Sequence, residues 1–236
     1  MTVDHDRLDI DRIVFVGRTL SEYKEFLDLD LYSLKGLKVL DCPSGPSSFV
    51  AEARRLGIKA VGCDPFYDLP LEQLVNKGQK DISHVMERLS EKKHLFKWNY
   101  YSSVEDVKSS RRRALKLFEE DFQIGLEEKR YVKASLPFLP FPDGSFELSI
   151  SAHFLFIYDD KLDYEFHLNS ILELSRVCSN EVRIYPLQSM NARIYPYMDK
   201  LISDLKLRRL DARIVEVGFE FLRGSNLMLK IKHTNL

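Results

Sequence analysis

Cysteine is scarce in this chain, with only Cys42, Cys63 and Cys178 among 236 residues. Three widely spaced thiols form neither a disulfide framework nor a zinc site, so a reducing compartment is expected. An excess of charge of either sign is also missing, because 35 Lys and Arg face 36 Asp and Glu for a net charge of −1. No overall field therefore steers the molecule toward nucleic acid or an anionic membrane, and neither is expected as a partner. Long apolar runs are absent, since no uncharged stretch approaches the roughly 20 residues of a membrane span. The opening MTVDHDRLDIDRI alternates charged and apolar residues and lacks the apolar core of a signal peptide, so a cytoplasmic location is expected. The six histidines never pair at ligand spacing, and no metal site is expected.

What is present is an ordinary globular composition, 44% hydrophobic and 30% charged. Strand signals alternate with helical ones, which argues for a parallel sheet built from βαβ units. The first strand is read over 37–42 (LKVLDC), followed by the turn PSGPSS and a helix through Phe49, Val50, Ala53 and Leu56 that stops at Gly57. The second strand is read over 58–63 and ends at Asp64-Pro65. The next clear strand opens only at Tyr131, far beyond an ordinary crossover. Between them lie two charged amphipathic helices, over about 71–93 and 104–128, split by the aromatic stretch from Phe96 to Tyr101.

The second half reads as a short strand over 131–134, a stiff loop SLPFLPFPDGS, and a strand over 146–151. A helix over about 162–177, a strand over 181–186 and a helix over about 196–209 follow. The chain closes with strands over 214–222 and 227–232, joined by the turn Arg223-Gly-Ser-Asn226 and hence antiparallel.

The chemistry concentrates where strands end. In a doubly wound sheet the ends of the first two strands are neighbours, and ligands bind in the crevice outside them. Small residues in CPSGPSS let a ligand approach the backbone, and free N–H groups at the helix start favour an electron-rich group. A carboxylate at Asp64 can accept both hydroxyl protons of a ribose, which points to a nucleoside-containing ligand.

VLDCPSGPSSF, GCDP, SLPFLPFPDGSFELSISAHF and the terminal hairpin resemble the class I S-adenosylmethionine-dependent methyltransferases. The first motif of that family carries three glycines; only Gly45 stands here, with Pro43 and Ser47 at the flanking positions. The resemblance implies an α/β fold with a doubly wound, seven-stranded, mostly parallel sheet whose last strand is antiparallel. It implies a single Rossmann-like domain over 1–236, with 65–130 as a helical insertion after the second strand.

It also implies S-adenosylmethionine as cofactor and an unidentified small-molecule acceptor. Asp41, Cys42, Pro43, Ser44 and Gly45 would lie beneath the methionine portion, and Asp64 would hold the ribose. Pro65 and Phe66 would flank the adenine, whose edge would meet Ser135 and Leu136. Ser151, Ala152 and His153 would line the methyl side, with His153 the candidate catalytic base. Upstream, Arg18 and Tyr23 in VGRTLSEY would close over the cofactor, Arg18 pairing with its carboxylate.

Plainer readings stand beside these. Asp41 and Asp64 can serve turns, His153 can be a core histidine, and Arg111-Arg112-Arg113 reads as a solvated helix face. Trp98, Tyr100 and Tyr101 either wall an acceptor pocket or pin the two inserted helices together, and Phe138, Phe141 and Phe146 read as core. Two alternatives share the fold: a cofactor-binding protein without methyl transfer, and a nicotinamide-dependent oxidoreductase, whose pyrophosphate needs glycines that PSGPSS does not supply.

Overall fold

The computed structural model describes residues 7–8 and 10–234. Strand β1 (Lys38–Asp41) lies parallel to β2 (Lys59–Asp64), with Asp41 opposite Gly62. On its other side β1 is parallel to β4 (Phe146–Ala152), with Asp41 opposite Ile150. Beyond β2 lies the short β3 (Tyr131–Lys133), and beyond β4 lies β5 (Cys178–Tyr185), both parallel to their neighbours. The strand β7 (Leu227–His233) runs antiparallel to β5 and to the edge strand β6 (Leu210–Glu216). The order is β3-β2-β1-β4-β5-β7-β6, a doubly wound α/β sheet with its last strand reversed, as the resemblance implied. Successive strands depart from β1 in opposite directions, so the crevice at the ends of β1, β2 and β4 is the switch point of the sheet.

Helices cover both faces. On one face α2 (Phe49–Arg55) packs through Phe49, Val50 and Ala53 with Val39 and Ile150 of the strands. On the other, α5 (Tyr164–Arg176) and α6 (Met198–Leu207) bury Ile171, Leu174, Leu201 and Leu205 with Leu40 and Val182. Each such fully buried side chain contributes about 1.5–3 kcal/mol. The strands separate the two cores by simple alternation, which sends Val39 to one face and Leu40 to the other.

Between β2 and β3, α3 (Leu71–Glu91) and α4 (Val104–Glu127) pack on each other and on the first core. Their contact is closest at Gly78, where a Cβ would meet the Leu115 side chain at 2.8 Å. No helix among the described residues is long and apolar enough to cross a membrane.

One element was not read from the sequence and three expectations are corrected. The segment around TLSE is a helix, α1 (Leu20–Phe26), started by a capping box in which Thr19 and Glu22 satisfy each other's backbone N–H groups. The first strand of the terminal hairpin ends at Glu216, because residues 217–222 leave the sheet and pack against 95–97. Phe138 is 82% exposed, on the tight loop in which Ser135 bridges it, and so is not core. Arg111 faces inward and is buried against a carboxylate of α1, so the arginine run is not uniformly solvated.

Candidate functional site

The floor of the site is the turn between β1 and α2. Ser44 N donates to Cys63 O at 2.8 Å and Gly45 N donates to Asp64 Oδ2 at 3.1 Å, so the turn lies across the end of β2. Gly45 sits at φ 55°, in the left-handed region that favours glycine, and its carbonyl accepts from Tyr67 Oη at 2.6 Å. The other oxygen of Asp64 accepts from Phe66 N at 3.0 Å. Burial pushes the Asp64 carboxyl up to about 6, against the pull of these two N–H groups.

Above the floor lie Leu8 and the segment 10–18. Gly17 is required there, because a Cβ would come 2.0 Å from Pro46 O. The segment is tied on three sides: Phe15 N to Asp81 of α3 at 2.8 Å, Val14 N to Tyr158 Oη at 3.1 Å, and Leu8 N to Met190 O at 3.0 Å. Two further pieces complete the roof. Phe96 bridges Leu222, Lys97 N donates to Phe221 O at 2.7 Å, and Arg223 N donates to Leu95 O at 2.9 Å, so the stretch between α3 and α4 is bonded to the loop between β6 and β7. Lys97 and Glu220 add a salt bridge.

Floor and roof enclose a cavity of about 460 Å³, mostly apolar in lining. That size falls in the range of small-molecule sites. Of the sequence-predicted site residues, Arg18, Tyr23, Pro43, Ser44, Gly45, Asp64, Pro65, Phe66, Ser135, Leu136, Ala152 and His153 line it.

Three others do not. Asp41 is sealed beneath the turn, its Oδ2 accepting from Ser44 Oγ at 2.7 Å, Tyr23 Oη at 2.9 Å and Ser47 Oγ at 3.4 Å. Its Oδ1 is buried without a partner, and burial pushes the carboxyl up to about 7 despite those three donors. Cys42 and Ser151 fall on the opposite face of the sheet: Cys42 shares the second core with Leu40, and Ser151 alternates away from Ala152.

The aromatic stretch also divides. Phe96 lines the cavity, but Trp98, Tyr100 and Tyr101 do not. Tyr101 instead donates its hydroxyl to Glu22 and accepts from Arg111 Nη2 at 3.2 Å. Tyr100 is 40% exposed with its ring against Phe219 and Tyr101.

The charges in the cavity are unevenly matched. Glu22 is held by Arg111, Tyr101, Ser110 and the backbone of Thr19, and against the cost of burial the charges of Arg111 and then Arg18, with Thr19 N and Tyr101, keep its carboxyl down at about 2. Arg18 lies nearby without a salt bridge of its own. Its Nη1 donates to Val16 O at 3.0 Å, while its buried Nε has no partner. Burial, and then the like charge of Arg111, pull Arg18 down to about 10.

His153 stands at the end of β4 at φ 54°, its N donating to Tyr185 O at 2.7 Å. Phe26 and Tyr185 contact its ring, at centroid distances of 4.9 and 5.3 Å. Its buried Nδ1 has no partner, and burial, reinforced by Arg18 and Arg111, keeps the ring neutral far below the usual histidine range. The strand-end residues were legible in the sequence, whereas Glu22, Phe15 and the 219–222 loop were missed. For Glu22 the signal was the Thr19-Leu-Ser-Glu22 capping pattern.

No family model matches the chain. Among solved structures, similarity extends to an S-adenosylmethionine-dependent methyltransferase from Aquifex aeolicus, at 15% identity, 91% of this chain, 95% of that one and a TM-score of 0.44. It extends also to the PH0226 protein from Pyrococcus horikoshii, at 13% identity, 91% of this chain, 90% of that one and a TM-score of 0.47. The magnesium protoporphyrin IX methyltransferase of Synechocystis, solved with bound S-adenosylmethionine, matches at 13% identity over 86% of this chain and 74% of that one, with a TM-score of 0.47. In sequence, the chain is 34% identical over 226 residues to the uncharacterized protein MJ0045 of Methanocaldococcus jannaschii, spanning 95% of this chain and 98% of the relative. The chain belongs to the family of that archaeal protein, and its fold is a doubly wound, Rossmann-like α/β sheet of order β3-β2-β1-β4-β5-β7-β6.

Proposed function

We propose that this protein is an S-adenosylmethionine-dependent methyltransferase acting on a small-molecule acceptor, with one methyltransferase-like domain into which 65–130 is inserted. The observation that carries the reading is a cation with no salt bridge of its own and a buried, partnerless Nε, Arg18, and a strand-end carboxylate, Asp64, in one cavity at the switch point of this sheet. They suit the two polar ends of an amino-acid nucleoside. Asp64 has lone pairs left on both oxygens for ribose hydroxyls, since each takes a single backbone N–H. Arg18 can turn Nε and an Nη toward a carboxylate as a bidentate donor. The adenine would lie between Pro65, Phe66, Ser135 and Leu136.

S-adenosylmethionine, when bound, supplies a methyl group on a positively charged sulfur. What the chain contributes is placement: floor and roof hold the acceptor in line with that methyl and keep water out. His153 is the neutral ring in the cavity wall assigned here to take the proton that an O–H or N–H acceptor must lose, a proton its buried, cation-flanked setting holds only weakly. The tyrosines of the insertion cannot, because Tyr101 is spoken for by Glu22 and Arg111 and neither Tyr100 nor Tyr101 lines the cavity. Asp41 does not touch the ligand in this reading. It positions the turn through Ser44, Ser47 and Tyr23.

Beyond the residues assigned to the cofactor the cavity is lined by many apolar side chains, which supports a protein with acceptor chemistry over one that only holds the cofactor. Calorimetric titration with S-adenosylmethionine and with its demethylated product tests the reading without knowledge of the acceptor. Saturable one-to-one binding, lost in Arg18→Met, is expected; binding of NADH in preference to both would overturn it.

A further inference from the structure

Four chargeable side chains stand in the cavity wall: Arg18, Arg111 and His153, where the two arginines act on the histidine, and Asp64 at the end of β2. The methyltransferase reading above uses Arg18, Asp64 and His153, and Arg111 is already matched by Glu22. The rest of the cavity has a different character. It is bounded by Val85, Met86 and Leu89 of α3, by Ile10 and Val14 of the overlying segment, and by Ile157 of the loop after β4. Tyr158 is the polar side chain of this arm, and its hydroxyl already takes Val14 N. The three ties of the overlying segment, to Asp81, Tyr158 and Met190, hold these walls together as one compartment.

A carboxylate, phosphate or ammonium placed among these side chains would leave water with Arg18 and Asp64 already taken up by the cofactor, whereas apolar surface gains by the same transfer. We propose that this apolar arm takes an uncharged, predominantly apolar methyl acceptor, a ring compound whose one polar group faces His153. The proposal rests on the methyltransferase reading for what the molecule is, and on the cavity wall for its chemistry.

The test uses three probes that share one ring system: 2-naphthol, 2-naphthoate and 2-naphthylmethylammonium, titrated by fluorescence into the full chain at neutral pH. With S-adenosylhomocysteine saturating, the neutral probe should bind at least about tenfold more tightly than either charged one. Met86→Gln and Val85→Asn should each weaken 2-naphthol about tenfold while changing S-adenosylhomocysteine affinity by less than about twofold, which also shows that the variants are folded. Equal or tighter binding of a charged probe, or 2-naphthol affinity unchanged in both variants, overturns the proposal. If S-adenosylhomocysteine does not bind, the cofactor reading fails by itself. The neutral and ammonium probes are then compared in ligand-free Arg18→Met, where no unpaired cation repels the ammonium, and equal binding sinks the apolar arm as well.

Discussion

The floor and the roof of the cavity are built in opposite ways. The floor is short-range and polar: Ser44 and Gly45 are fixed by hydrogen bonds to Cys63, Asp64 and Asp41 at the ends of adjacent strands and to Tyr67 just beyond. The roof is long-range and apolar, joining segments near residues 15, 96 and 220 by a few backbone bonds and by rings such as Phe96 and Phe221, whose centroids are 4.7 Å apart. A floor of that kind holds a fixed ligand geometry through donors and acceptors. A roof of that kind supplies surface and excludes water, and it depends on packing.

The largest expected effect breaks the joint between the two. Glu22 of α1 takes Arg111 and Tyr101 from the far side of the insertion. Glu22→Ala would leave the Arg111 charge buried without its partner, at a cost of about 3–5 kcal/mol, read as a lower urea midpoint. A midpoint within experimental scatter of wild type would show that the joint holds nothing. Phe96→Ala comes next. It removes a 4% exposed ring from the roof and should cost about 3 kcal/mol or somewhat more of stability. Acceptor-dependent turnover should fall, while cofactor affinity in the folded fraction stays unchanged.

The acidic groups separate by pH. Glu22 is held down at about 2, so its contribution is present above its unfolded value near 4.5 and is lost as pH falls through 2. Asp41 and Asp64 have the opposite sign. Their carboxyls are pushed up to about 7 and about 6 from 3.8, so the folded state binds their protons more tightly and stability falls as pH rises from about 4 through 7. Ligand-free protein should therefore melt highest near pH 4, and Asp41→Asn should flatten the descending limb; a profile that keeps rising to pH 8 would contradict this. The smallest effect belongs to Tyr100→Ala. Its ring is 40% exposed outside the cavity, and both stability and cofactor affinity should stay within about 0.5 kcal/mol of wild type.

Legibility in the sequence follows the same division. Strands and their end residues could be read because a buried parallel strand writes a continuous apolar run ended by a polar turn, as in Val39-Leu40-Asp41 and Gly62-Cys63-Asp64. Which face each end residue takes was not legible for Cys42 and Ser151, because one step along a strand reverses the side and only the pairing register decides it. The roof left weaker marks. Phe96 and Phe221 meet only through the tertiary fold, and Arg111 is distinguished from Arg112 and Arg113 by the position of Glu22, 89 residues away. The expectation that Tyr100 and Tyr101 wall the pocket failed for that reason: an aromatic cluster signals packing but does not name the surface that covers it.

The claim that the floor binds and the roof encloses is tested most directly by calorimetric titration of S-adenosylhomocysteine into wild type, Asp64→Ala and Phe221→Ala. Asp64→Ala is expected to lose about 1.5–3 kcal/mol of affinity, the scale of hydrogen bonds to a charged group, in a protein that remains folded. Phe221→Ala should bind within about twofold of wild type, a few tenths of a kcal/mol. Unchanged affinity in folded Asp64→Ala together with a large loss in Phe221→Ala would contradict it.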